Sequence, residues 1–364
     1  MLIARSKQPP GSFSGICGQS VPTRVFGHLI RSERLPGTLL FSGPGGVGKL
    51  ATALALAKAL HCSGNVGGLC DCQACRAIRA GTHPDVLVLS RDRLIGVEEM
   101  REIVALALLK SAAGRDRLTI IDRAENITPA AANCALKTLE EPGDHVRFIL
   151  ITDTPSALLS TVRSRAYNVR FTLLALQEVE DFARNIGDAP SSEASKEALR
   201  FAGGRPGQYL RWMHLEGYGE RVRQVSAWSS ALMDSDGTPS IEKALEWKRE
   251  FWDLAEGLST LERKADLPRG GDSCEIGRHL ASPRDYPLSP VNWRADDSSA
   301  RESRWGQGRK ALLLSRLIRD IMSVDKTVRH NRAIDQLQDF MQKIRFNCSF
   351  DIALERLYFR LAGI

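Results

Sequence analysis

A chain of 364 residues, 43% of them hydrophobic and 26% charged, is long enough for two or three domains with true cores and shows none of the bias of a fibrous or disordered protein. No apolar run reaches the ~20 residues that span a bilayer, and Pro9-Pro10-Gly11-Ser12 follows Arg5 and Lys7 where a secretory signal needs its apolar stretch, so a cytoplasmic protein is expected. The net charge of +7 is compatible with nearby nucleic acid, but basic residues are interspersed with acidic ones and give no direct sign of DNA contact.

After a polar start, Thr38–Phe41, Asp85–Leu89, Leu118–Ile121, Phe148–Thr152 and Tyr167–Phe171 are short aliphatic or β-branched runs of the kind that form buried parallel strands. Leu50–His61, Val97–Leu109 and Pro129–Glu140 between them have helical apolar spacing, so the first ~170 residues predict an α/β domain with a parallel sheet. From Leu173 onward no convincing strand follows. Gln177–Asn185, Ser195–Phe201 and Gly207–Leu215 suit a small helical domain, and Ile241–Arg263 with Lys310–Gly363 a larger one. Lys264–Gly308 is rich in Pro, Gly, Ser, Asp and Arg and reads as a long polar insertion.

Residues 38–61 join a buried strand, a glycine loop and a helix, the sequence form of a phosphate cradle or P-loop. Gly43, Gly45, Gly46, Gly48 and Lys49 are in place to hold the phosphates of ATP. The next residue, which in G-x-x-x-x-G-K-[ST] supplies a hydroxyl to Mg²⁺, is Leu50. Asp122 ends LTIID (118–122) at a strand terminus, where an acidic residue helps hold Mg²⁺. The glutamate that commonly follows to polarise water is replaced by Arg123, and Glu125 lies two residues too far along, so metal binding and general-base catalysis are both impaired.

Four of the eight cysteines, Cys62, Cys70, Cys72 and Cys75, crowd one short segment. In a reducing compartment this points to structural zinc held by four thiolates, with no open position for catalysis. Cys70-x-Cys72 is tighter than usual, so His61 or His83 could replace one thiolate; reduced free cysteines are the alternative. Ser164 and Arg165 precede the last strand, where a solvated loop arginine is the ordinary expectation.

Taken together, GQSVPTRVFGHLIRSERLPGTLLFSGPGGVGK (18–49), the cysteine cluster, HPDVLVL (83–89), IGVEEMRE (95–102), LTIIDRAENITPAAANCALKTLEEP (118–142), FILIT (148–152), STVRSR (160–165) and NCSFDIALERLYFRL (347–361) resemble the clamp-loader subunits of bacterial DNA polymerase III, within the AAA+ superfamily, and among them the delta-prime kind. That resemblance implies an AAA+ α/β domain over 1–172, a helical lid over 173–225 and an all-α collar over 226–364 interrupted by 264–308. It makes Arg165 an arginine finger acting in trans and Thr152 the sensor-1 residue, and it places Gly207 where an active subunit has its lid arginine. It further implies partners: gamma/tau and delta subunits in a hetero-pentameric ring, and through them the sliding clamp and primed DNA. Lacking the Ser or Thr after Lys49, the glutamate after Asp122 and the lid arginine, the chain matches a non-motor stator. A self-sufficient ATPase of the gamma/tau kind and a zinc-containing DNA-binding module are the alternatives.

Overall fold

The computed structural model describes residues 13, 16–62, 70, 72–90, 94–112, 114–188, 192–233 and 246–257, together with 318, 335–337, 339–340 and 357. Five parallel strands, β1 (Thr38–Ser42), β2 (Val86–Ser90), β3 (Arg117–Asp122), β4 (Val146–Thr152) and β5 (Tyr167–Arg170), form one sheet in the order β2-β3-β4-β1-β5. The register pairs Val88 with Ile120, Ile120 with Ile149, and Ser42 with both Thr152 and Arg170.

The central strands β3, β4 and β1 are buried on both faces because their residues alternate between two cores. Leu39, Phe41, Ile120, Ile149 and Ile151 face Phe26 of α1 (Ser20–Arg31) and Ala53, Leu54 and Leu56 of α2 (Lys49–His61). Leu40, Ile121, Phe148 and Leu150 face Met100 and Ile103 of the helix Val97–Ala107 and Ala131, Ala135 and Leu139 of the helix Pro129–Glu140. The latter starts where the Thr128 hydroxyl accepts the N–H of Ala131, with Pro129 in the first turn, where its missing N–H costs nothing. In chain order these two helices are α4 and α5, after a short α3 (Gln73–Arg79); α6 (Ser160–Arg165) precedes β5.

The α/β P-loop fold with its parallel sheet is thus the one the sequence predicts, each strand lying within two residues of its expected bounds. Three helices were not expected in it. α1 was read as part of a polar start; Pro22 lies in its first turn and only Pro22, Phe26 and Gly27 are buried. α3 grows out of the cysteine cluster, and α6 takes the place of the expected arginine-bearing loop.

Beyond the sheet, α7 (Leu176–Asn185), α8 (Glu193–Ala202) and α9 (Pro206–His214) are the expected small helices, and α10 (Tyr218–Met233), not expected, runs unbroken across residue 225. Residues 246–257 are helical within the predicted Ile241–Arg263. The rest of that segment, the insertion 264–308 and nearly all of 310–363 lie outside the described residues.

The chain divides into two compact units. One comprises Met1–Ala189 with Gly204–Gly207 and holds the sheet; the other includes Pro190–Gly203 and Gln208–Arg269. The second has its own core, in which Ala198, Leu199, Tyr209, Val222, Val225, Phe251 and Ala255 are buried and the Tyr209 hydroxyl meets Ser195 Oγ at 2.7 Å. No helix among the described residues is long and apolar enough to cross a membrane.

Candidate nucleotide site and cysteine cluster

Parallel strands deliver their carboxyl ends to one edge of the sheet, where α/β proteins bind ligands. Ser42, Thr152 and Asp122 end neighbouring strands there, and the glycine loop follows Ser42. Gly43 has φ +146°, and a β-carbon on it would sit 2.3 Å from the Phe171 carbonyl oxygen. Gly48, at φ +97°, turns the chain into α2, so the loop amides and the start of that helix can face a phosphate. Gly43→Ala is therefore expected to cost more than the ~1–3 kcal/mol of a strained backbone position, read as a lower urea midpoint.

Lys49 is buried, and its ammonium donates to the carbonyls of Gly43 and Pro44, both at 2.6 Å. Leu50 packs against the core. The nearest later hydroxyl is Thr52, fully buried, whose Oγ1 donates to the Gly48 carbonyl at 2.9 Å; it belongs to the helix and cannot stand in as a metal ligand. The backbone and Lys49 suit phosphate, while the hydroxyl that would ligate Mg²⁺ is missing.

Asp122 accepts a bond from Ser90 Oγ at 3.0 Å. Arg123 follows it in a left-handed conformation, φ 58°, and Glu125 is buried in the turn Ala124–Asn126. Thr152 is buried, and its hydroxyl accepts the N–H of Thr154 at 3.0 Å.

Asp153 escaped the sequence reading, and so did the backbone approach of Gly207, which the resemblance places only as the position of the lid arginine. A β-carbon at Gly45 would lie 3.6 Å from Oδ2 of Asp153, which sets a carboxylate beside the place for phosphate and opposes an anion. The N–H of Gly207 donates to the Gly46 carbonyl at 2.9 Å, and a β-carbon there would come within 3.1 Å of Gly46 Cα and O. Asp153 is signalled only by its place after Thr152; the backbone contact has no sequence signal.

Arg165 is the last residue of α6 rather than a loop residue. Its Nε donates to Glu140 at 2.9 Å and one terminal nitrogen to the Thr161 carbonyl at 3.2 Å, with the side chain about a third exposed. These bonds use two of its five N–H donors.

The structure brings the four cysteines together. Cys62 caps the end of α2, Cys72 precedes α3 and Cys75 is buried within it, and all four sulfurs lie within 4.8 Å of one another, Cys62 and Cys72 at 4.0 Å. Sulfurs 2.3 Å from a tetrahedral zinc stand about 3.8 Å apart, so the set fits a closed Cys₄ site despite the tight Cys70-x-Cys72 spacing. Burial first, then Cys72 and Cys62, raise the Cys75 thiol well above its usual range, so an incoming metal must displace protons. His61 and His83 stand apart from the thiols, grouped with Asp85.

Residues 18–175 match the sequence family described as DNA polymerase III, delta subunit. The DNA polymerase III subunit delta′ of Pseudomonas aeruginosa is 35% identical over 201 residues, 54% of this chain and 60% of that protein. The gamma/tau subunit of Mycobacterium tuberculosis is 35% identical over 172 residues, 46% of this chain and 30% of that protein. The chain thus spans 60% or less of these relatives. A DNA polymerase III gamma subunit-related protein from Thermotoga maritima superposes over 93% of this chain and 98% of its own with a TM-score of 0.43 and 16% identity, too loose a likeness to bear on function. Across residues 18–175, this chain carries the sequence pattern of the DNA polymerase III delta-subunit family.

Proposed function

We propose that the chain is a stator subunit of a DNA polymerase III clamp loader, of the delta-prime kind. It completes a hetero-pentameric ring with gamma/tau and delta subunits, helps place the sliding clamp on primed DNA in the cytoplasm, and lends Arg165 to the ATP site of a neighbour. The α/β domain at 1–172 would carry the contacts around that site, with a lid at 173–225 and a collar at 226–364. Zinc on Cys62, Cys70, Cys72 and Cys75 would be structural.

The gamma/tau relative is as identical to this chain as the delta′ relative, 35% in each case, so the choice between stator and motor rests on the site. The carrying observation is a phosphate loop whose backbone is intact but whose reactive groups are missing. Leu50 replaces the metal-binding hydroxyl, Thr52 is committed to Gly48, Arg123 stands where a base is needed, and Gly207 has no side chain to reach a phosphate.

The purified chain alone should release no phosphate from ATP above background. Leu50→Thr should not create turnover, because Arg123 still supplies no base. Added to gamma/tau and delta subunits with clamp and primed DNA, the wild-type chain should raise their turnover. Hydrolysis by the lone chain that disappears in Lys49→Ala would establish the motor reading instead.

A further inference from the structure

His61 ends α2, and His83 and Asp85 lie just before β2; they are 4%, 9% and 0% exposed, and one ligand atom from each lies within 4.8 Å of the others. The two imidazoles are 4.4 Å apart between ring centres, inclined at 58°. Neither ring nitrogen of His61 makes a hydrogen bond of normal geometry among the described residues, although the backbone of Asp116 comes near enough to favour its charged form.

Buried polar groups are nearly always satisfied, and an orphaned imidazole beside a second imidazole and a carboxylate calls for a partner. Asp85 is held in place by three donors: Ala112 N at 2.9 Å and Arg117 at 3.3 Å to Oδ1, and Ser111 Oγ at 3.0 Å to Oδ2. Bonds of this kind orient a ligating carboxylate. Nδ1 of His83 accepts the N–H of Asp85 at 3.2 Å, so the neutral ring carries its proton on Nε2. Ligation at Nδ1 would replace that single bond, whereas ligation at Nε2 would shift the proton to Nδ1 and so also displace the bond from the Asp85 N–H.

We propose that His61, His83 and Asp85 form a second metal site, separate from the cysteine cluster, for a borderline divalent transition ion such as zinc, cobalt or nickel. Two imidazoles and one carboxylate suit these ions and not magnesium or calcium. Because His61 precedes Cys62, the two sites share the last turn of α2 and tie it to two different segments, α3 through the thiols and the entry to β2 through the histidines. Arg117 opposes a cation at Asp85, so this site fills after the thiolates. The inference does not depend on the clamp-loader reading.

Cobalt titration of the metal-free, reduced full chain tests it. Two equivalents are expected: the first with strong near-ultraviolet thiolate charge transfer, the second adding visible absorption without it. His61→Gln and His83→Asn should each remove the second equivalent alone, and Cys72→Ser with Cys75→Ser the charge transfer alone. If the histidine variants do not fold, equilibrium dialysis of the wild type still decides. Binding of a single equivalent, or a second that persists in both folded histidine variants, overturns the proposal.

Discussion

Arg165→Ala is expected to lower ATP turnover by a reconstituted clamp loader about 10³-fold or more while leaving assembly intact, the scale on which an arginine supplied across an interface acts in other phosphoryl-transfer systems. Its partner Glu140 is half exposed, and surface ion pairs contribute only ~0–1 kcal/mol, so truncation should scarcely affect folding. The helix that carries it is anchored instead by buried Val162. Arg165→Lys separates charge from geometry: an ammonium has no planar fork, so this variant should recover little of the loss. Turnover unchanged in both variants, with the ring assembled, would remove Arg165 from the mechanism.

Removal of the zinc proposed for the cysteine cluster should have the largest effect on stability. Among the described residues from Cys62 to Cys75 only Cys75 is buried, with Ile78 just beyond it. Structural zinc in finger peptides is worth roughly 10–16 kcal/mol of apparent binding free energy at neutral pH, and that energy is available to folding only while the thiolates are engaged. A thiol-modifying reagent should therefore release the cysteine-bound zinc and open the region between α2 and α3 to protease, leaving the five-stranded sheet resistant. Cys75→Ser should do the same without reagent. A protein whose proteolysis pattern and melting temperature are unchanged once its metal is gone would refute the structural role.

The centre of the sheet could be read from the sequence because β1, β3 and β4 are buried on both faces and thus written as nearly continuous aliphatic runs such as FILIT. The glycine loop was legible for a different reason, since its backbone angles restrict which residue can occupy each position. α1 was hidden by its mixed composition and buries little beyond Phe26. α6 is six residues long, too short to show helical periodicity, which is why Arg165 was expected on a loop. The cysteines could be grouped by spacing alone. Neither Asp153 nor the backbone contact of Gly207 could be linked to the loop, because each reaches it through a long-range approach that leaves no local pattern.

The contact between Gly207 and Gly46 also bears on attempts to engineer hydrolysis into this chain. An arginine grafted at 207 would have to push aside the very backbone it was meant to assist, since even its first carbon meets Gly46 at 3.1 Å. Repairing positions 50 and 123 as well would still leave that close contact, so any side chain at 207 also asks the main chain at Gly46 to give by a few tenths of an ångström.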